Sequence, residues 1–405
     1  MELVIIGGGA AGMMAALTAA EWISGHVLLL EQQPRLGRKL LATGNGRCNL
    51  SNLTSTPQCY HGANRDFVRP ALEGFGVQDT LAYFQGLGLL CRSEPGGRVY
   101  PLSDQANSVL DTLRLALEGL GVTVRTECQV TGITKEGAGF LLTTPEGPIP
   151  ADKVIVTAGG AASPKLGGSK SGYQLLKGLG HRCTKLFPSL VQLRTDPTYP
   201  RSLKGVRAEA SVTLLRGNGV LAQRQGEVQF TDYGVSGPVI FELSRQAATE
   251  SDSLTLSLDL LPQLSEEALV DLLAEKQRRF PGLTLDNLLI GMLHNRLGRT
   301  VLRYGGRKLT QSVSDLSHRD LVAIVRNCKD FRLPVTGNLG LDHAQVTAGG
   351  IRTDEFDPET LESLHCPGLY AAGEVLDIDG DCGGFNLQWA WSSGHLAGLL
   401  GSKPR

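Results

Sequence analysis

The apolar positions at the start of the chain fall in short uninterrupted runs. Residues 3–6 (LVII) carry no polar interruption, which predicts a strand buried on both faces, as in a parallel sheet. GGGAAG follows at 7–12, and the Ala- and Leu-rich stretch after it predicts a helix over about residues 11–22. Residues 27–30 form a second apolar strand that closes on Glu31. Residues 153–156 and 369–372 are further buried-strand runs, and residues 122–130 alternate as a strand.

The pattern changes between about 191 and 260. Short alternating segments at 210–215, 227–230 and 254–258 sit between turns, as in an antiparallel barrel or sandwich. Residues 262–321 read as helical, with apolar positions at three-to-four spacing in LSEEALVDLLAEKQRRF and Ser265 as its N-cap. Residues 331–336 are expected to return to the barrel, and 345–351 to the first sheet. FPSLVQL at 187–193, punctuated by Pro188, reads as the exit from that sheet. The predicted fold class is α/β. A two-part Rossmann-like domain (1–190 and 341–405) would hold a barrel-like domain (191–260 and 326–340), and that barrel a small helical domain (261–325).

Composition narrows the partners. Net charge is −1 and charged residues make up 20% of the 405, so no strong one-sign field is implied and no nucleic-acid partner is expected. No apolar run is long enough for a membrane span. The eight cysteines include no CxxC pair. With an N-terminus that lacks a basic leader, they read as reduced thiols of a cytoplasmic protein. The histidines show no metal-ligand spacing, so no metal is expected.

The first strand, turn and helix carry chemistry. Gly7, Gly9 and Gly12 spell GxGxxG, and Glu31 stands 19 positions after the last of them at the end of the second strand. In dinucleotide binding the first glycine makes the tight turn. The second lets the backbone approach a pyrophosphate, and the third lets helix and strand pack closely. The helix start offers unpaired N–H groups to the phosphates. Glu31 would accept hydrogen bonds from ribose hydroxyls and would disfavour a 2′-phosphate at this site.

Two remote segments favour FAD over NAD here. QQPRLGRKLLATGNGRCNLSN, after Glu31, carries Arg35, Arg38, Lys39 and Gly44 in a polar, glycine-rich loop suited to a long doubly charged ligand. GLYAAGEVLDIDGDCGGFNLQWAWSSGHLAG, at 368–398, has Gly373 and Glu374 after a strand, then Gly383 and Gly384 before a second helix start at Asn386 and Leu387. In two-part FAD folds such a returning helix faces the isoalloxazine carbonyls, where negative charge develops on reduction. Gly159, in the loop after residues 153–156, would be a further contact.

GGGAAG, TGNGRCN, GGRVYP, FTDYGVSGP, VTAGGI and GLYAAGEVLDIDGDCGGFNLQWAWSSG together resemble the BaiN/RdsA family of NAD(P)/FAD-dependent oxidoreductases, also described as aminoacetone-oxidase-like FAD-binding proteins. The similarity runs from end to end. It implies a discontinuous FAD domain interrupted by a barrel with a helical insertion. It also implies FAD contacts at Ala11, Glu31, Arg38, Lys39, Asn49, Val130, Glu374, Asn386 and Leu387. One position departs from the family pattern: Asp232 stands where a histidine often follows the Thr of the FTxxGxSGP motif.

The catalytic groups stay unassigned. Ser103 reads as an N-cap with Asp104 in the first helical turn, while Arg98 and Tyr100 of GGRVYP are alternatives for the substrate side. FTDYGVSGP is either a turn or a loop over the flavin. Cys48 and Cys382 read as packing groups. Three functions remain open: a reductase that uses NAD(P)H, docked transiently for want of a second GxGxxG, to reduce an activated C=C or carbonyl of a small molecule; an oxidase of a small amine or related substrate using oxygen; and a flavoprotein acting on RNA.

Overall fold

A computed structural model describes residues 1–250 and 252–402, and the chain divides into two compact units: Met1–Pro188 with Gln345–Arg405, and Ser189–Ala344. The first unit is built on a five-stranded parallel sheet. Its order is Leu369–Ala371, Lys153–Val156, Glu2–Ile6, His26–Leu30, Thr123–Arg125. The uninterrupted apolar runs are explained by this layout: Leu3, Val4, Ile5, Val154 and Ile155 are all fully buried, as in any sheet covered on both faces. A three-stranded antiparallel sheet (Gly132–Glu136, Gly139–Thr144, Gly147–Ala151) and a second one (Ser51–Asn52, Arg98–Pro101, Cys91–Ser93) also belong to it, along with two-stranded ribbons.

The second unit is a closed six-stranded barrel: Leu193–Thr195, Gly234–Ser236, Gly219–Phe230, Arg207–Arg216, Leu254–Asp259 and Phe331–Asn338. Closure removes the unpaired edges an open sheet would expose. Burial alternates strictly along Leu254–Asp259, so one face fills the interior. The helices Glu266–Arg279, Asn295–Tyr304 and His318–Lys329 share one hydrophobic core with the barrel, in which Leu256, Phe331, Leu273, Val301 and Val325 are buried together. No helix among the described residues is long and apolar enough to cross a membrane.

Three local expectations are corrected. The alternation at 122–130 yields a strand only over Thr123–Arg125. Glu127 takes φ +57°, and the chain bends so that Cys128 N–H donates to the Glu31 carbonyl. The segment 345–351 does not join the parallel sheet: Val346–Ala348 pairs with Phe187–Ser189 in a separate two-stranded ribbon. Ser103 caps no helix, since the helix Ala106–Gly119 begins after Gln105. Instead the Ser103 hydroxyl donates to that of Ser108, and Asp104 sits at φ +55° between Arg92 and Arg47.

Candidate functional site

The turn after the first strand is held by backbone contacts that admit no side chain. A Cβ on Gly12 would overlap the Gly7 carbonyl and lie 2.6 Å from Thr157 Oγ1, and one on Gly7 would stand 2.5 Å from the Thr157 carbonyl oxygen. Thr157 Oγ1 donates to the Ile6 and Gly7 carbonyls, which ties the turn to the neighbouring strand. Gly9 is different. Its φ of −81° suits any residue, and a Cβ there would meet nothing within 4 Å. The protein itself places no demand for glycine at this position, and the space beside it is open. Gly9 is the N-cap of Ala10–Trp22 and supplies no side-chain cap, which leaves the first-turn N–H groups, Ala11 and Gly12 among them, without intrahelical partners.

Glu31 stands beside this turn. One of its carboxylate oxygens accepts the Gly8 N–H at 2.8 Å and the other the Gln33 N–H at 2.7 Å. Burial pushes its carboxyl above the ordinary value, and those two N–H groups offset part of the shift. The acid therefore fixes the loop and has lone pairs to spare for further hydrogen bonds. Val130 is buried two residues beyond the Cys128 contact with Glu31.

The last helix, Phe385–Gly398, reaches the same region through glycines. A Cβ on Gly394 would overlap the Ala11 carbonyl, and one on Gly398 would stand 2.7 Å from that of Ala15. Since Gly394 faces Ala11 and Gly398 faces Ala15, the two helices run in the same direction in close contact. His395 Nδ1 and Thr18 Oγ1 are hydrogen-bonded across the pair at 3.0 Å. The last helix begins eight residues further back than the first, so its start projects about 12 Å beyond, on the same side. It too is uncapped: Gly384 is its N-cap, with no side-chain bond, and the first-turn N–H groups, those of Asn386 and Leu387 included, lack intrahelical partners. Two positive helix ends staggered along one line suit a ligand with a diphosphate at one point and a reducible, electron-accepting ring at another.

The TGNGRCN segment lies under the second helix start. It is a 3₁₀ turn, Thr43–Gly46, with Gly44 and Asn45 both in the left-handed region. Asn52 Nδ2 donates to the Gly383 carbonyl at 2.9 Å, Ser51 Oγ to Gln388 Oε1 at 2.6 Å and Trp391 Nε1 to the Leu50 carbonyl at 2.9 Å. Asn49 Oδ1 is buried without a hydrogen-bond partner, 2.9 Å from where a Cβ on Gly384 would stand. An orphaned buried acceptor at an uncapped helix start is what a ligand with both donors and acceptors would satisfy. On these observations the residues fit FAD.

The remaining predicted residues fall nearby. Lys39 Nζ pairs with Glu374 Oε2 at 2.6 Å, and Glu374 Oε1 accepts the Thr347 N–H at 2.8 Å. A Cβ on Gly373 would stand 2.9 Å from that of Ala11, so the loop after the edge strand meets the first helix. Gly159 needs its φ of +70° and has open space beside it. Arg38 is spent on the Gln33 side chain and the Lys165 carbonyl. Asn386 uses its amide to close its own turn on Gly380, so only its backbone N–H is left for a ligand. Burial pushes the Cys48 thiol up to about 12, consistent with a packing group. Asp232 is exposed and paired with Lys204 at 2.7 Å.

Spacing gave no hint of one further array. Ser363 Oγ and His181 Nε2 lie 3.0 Å apart, and His181 Nδ1 and Glu355 Oε2 3.1 Å apart, all buried. Ser363 Oγ also accepts the N–H groups of His365 and Cys366. The serine is thus enclosed in its own turn, and both ring nitrogens of His181 are engaged, so the array acts as a structural tie.

A parallel sheet with an amino-terminal dinucleotide turn, a returning uncapped helix and a barrel between the two halves defines an FAD-dependent oxidoreductase of the two-part Rossmann class. The chain belongs to the HI0933-like Rossmann family, whose model matches residues 1–400. It is 40% identical over 398 residues to a 3-dehydro-bile acid delta(4,6)-reductase of Clostridium scindens, with 97% of each chain covered. It is 30% identical over 392 residues to a ribosomal RNA dihydrouridine synthase of Escherichia coli, covering 97% of this chain and 96% of that one. A 3-ketosteroid delta1-dehydrogenase from Sterolibacterium denitrificans shares the fold at a TM-score of 0.53, with 13% identity and 99% of each chain covered.

Proposed function

We propose that this protein reduces a carbon–carbon double bond conjugated to a carbonyl in a small molecule, taking electrons from NADH or NADPH through FAD. The observation that carries the reading is the pair of uncapped helix starts staggered on one side of the parallel sheet. The names of both relatives support the reaction class, since a delta(4,6)-reductase and a dihydrouridine synthase each saturate a C=C bond. When bound, FAD supplies the hydride transfer. The residues of this chain position it. The first helix start and Gly9 receive the diphosphate, Glu31 accepts from the ribose, and the second helix start with Asn49 meets the hydrogen-bonding edge of the ring. Donors held there favour the electron-rich form.

The test is anaerobic. The purified protein should be yellow, NADH or NADPH should bleach it, and a conjugated enone should restore the colour. Failure of both nicotinamides to bleach it, with bleaching by a small amine and recovery in oxygen, would replace the reductase with an oxidase. A second reading has one observation in its favour. Residues 276–332 carry 12 Lys and Arg against 4 Asp and Glu, and a relative acts on ribosomal RNA by name. On that reading the double bond belongs to a uridine in RNA, and binding of ribosomal RNA fragments should weaken steeply with salt.

A further inference from the structure

Three arginines stand close together around the strand Arg98–Pro101, and they differ in what holds them. Arg47 pairs with Glu94 at 2.5 Å and Asp104 at 2.9 Å, and its guanidinium lies 4.1 Å from the centre of the Tyr100 ring. Arg92 pairs with the same two acids, at 3.2 and 2.6 Å. The Arg98 guanidinium is partly buried and has no hydrogen bond or ion pair among the described residues. It is directed instead to the glycine pair before the last helix. Its Nε lies 3.2 Å from where a Cβ on Gly383 would stand, and strand pairing sets Arg98 opposite Asn52, whose Nδ2 donates to the Gly383 carbonyl. A partly buried cation without an anion costs free energy, and here it adds to the positive end of an uncapped helix. Beside both is Asn49 Oδ1, a buried acceptor without a donor.

We infer that Arg98 is the cation that faces the hydrogen-bonding edge of the flavin ring and stabilises the negative charge this edge gains on reduction. The inference rests on the FAD reading. The set of unmet groups selects that edge: helix N–H groups and a guanidinium donate to carbonyl oxygens, and Asn49 accepts from the ring N–H between them. A purely anionic ligand such as a carboxylate would leave the Asn49 acceptor unmet. Arg47 and Arg92 share two acids, whose two negative charges balance their two positive ones, and so cannot supply this charge.

The experiment measures the midpoint potential and the sulfite affinity of the FAD-loaded protein for wild type, Arg98→Gln, Arg98→Ala and Arg98→Lys. Sulfite adds to flavins that carry positive charge at this edge, so it reports the same field without turnover. Both neutral variants should keep the wild-type melting temperature, because Arg98 contributes no bond to the fold. Their sulfite affinity should fall about tenfold and their potential by about 30 mV, the equivalent for a two-electron couple, while Arg98→Lys retains most of both. If one neutral variant does not fold, the other gives the readout. An unchanged potential and sulfite affinity in a neutral variant that still binds FAD overturns the inference, whether KM rises, which would mark a substrate clamp, or only the melting temperature falls, which would mark a structural role. A wild-type protein that takes up no FAD overturns the parent reading instead.

Discussion

Three helices of the Ser189–Ala344 unit begin differently from the first and last helices of the chain. In the Ser189–Ala344 unit, Ser265 accepts from Ala268 N–H, His294 from Arg296 N–H, and Ser317 from Asp320 N–H in a full capping box. Each of these helices satisfies one N–H of its own first turn with a side chain of the chain itself. In the other unit the first and last helices start at Gly9 and Gly384 with no side-chain cap. A helix start that closes on itself serves stability, and one left open keeps N–H groups that a ligand can use. The glycines differ as well: Gly12 is required by the protein's own packing, and Gly9 is not.

Gly12→Val should break the comparison on the side of the fold. The added Cβ overlaps the Gly7 carbonyl, so backbone must shift, and a loss of about 3 kcal/mol is expected, seen as an insoluble protein or a large drop in melting temperature. The contact that clamps the two open helices gives the next effect. His395 is held down to about 4 by burial, with the charge of Asp79 pulling weakly the other way, against an ordinary 6.5. The unfolded chain therefore takes up a proton below about pH 6.5 that the folded chain accepts only near pH 4. Stability should be full above pH 6.5 and fall as pH drops from 6.5 to 4, by up to about 3 kcal/mol, then flatten. Denaturant titrations of wild type and His395→Gln across that range check it: the slope should be shallower in the variant.

Gly9→Ser separates the two kinds of requirement. Serine is a good N-cap, so the protein without cofactor should be as stable as wild type or slightly more so. The side chain would then occupy the open space, and FAD affinity should fall about thirtyfold, near 2 kcal/mol, by fluorescence titration. Equal loss of stability and affinity would show that Gly9 is structural after all. Ser317→Ala is the reciprocal change: about 1 kcal/mol of stability lost, with FAD affinity unchanged.

Much of this architecture could be read before any coordinates. The buried strands, the Gly7–Glu31 unit, the alternating barrel segments and the Ser265 cap all depend on residues a few positions apart, and the structure carries them. The misread stretches share a cause. At 122–130 the alternation continues past Arg125, but Glu127 turns the backbone, and the Glu31 carbonyl rather than a neighbouring strand receives the next N–H. At Ser103 the cap chemistry was present, yet the ion pairs of Asp104 to Arg92 and Arg47 took the turn elsewhere. A signal for the helix contact was available in Gly394 and Gly398, small residues four apart on one face.

Local periodicity and backbone freedom thus set which segments become strands, which turn is free of side chains and which acid ends the second strand, because those are properties of neighbours along the chain. The meeting of Asn49, Arg98 and Gly383, and the stagger of two helix starts, came from packing alone: residues more than 300 positions apart are joined by bonds such as Asn52 to Gly383, and no spacing rule encodes a contact whose register is set by the whole sheet and core between them.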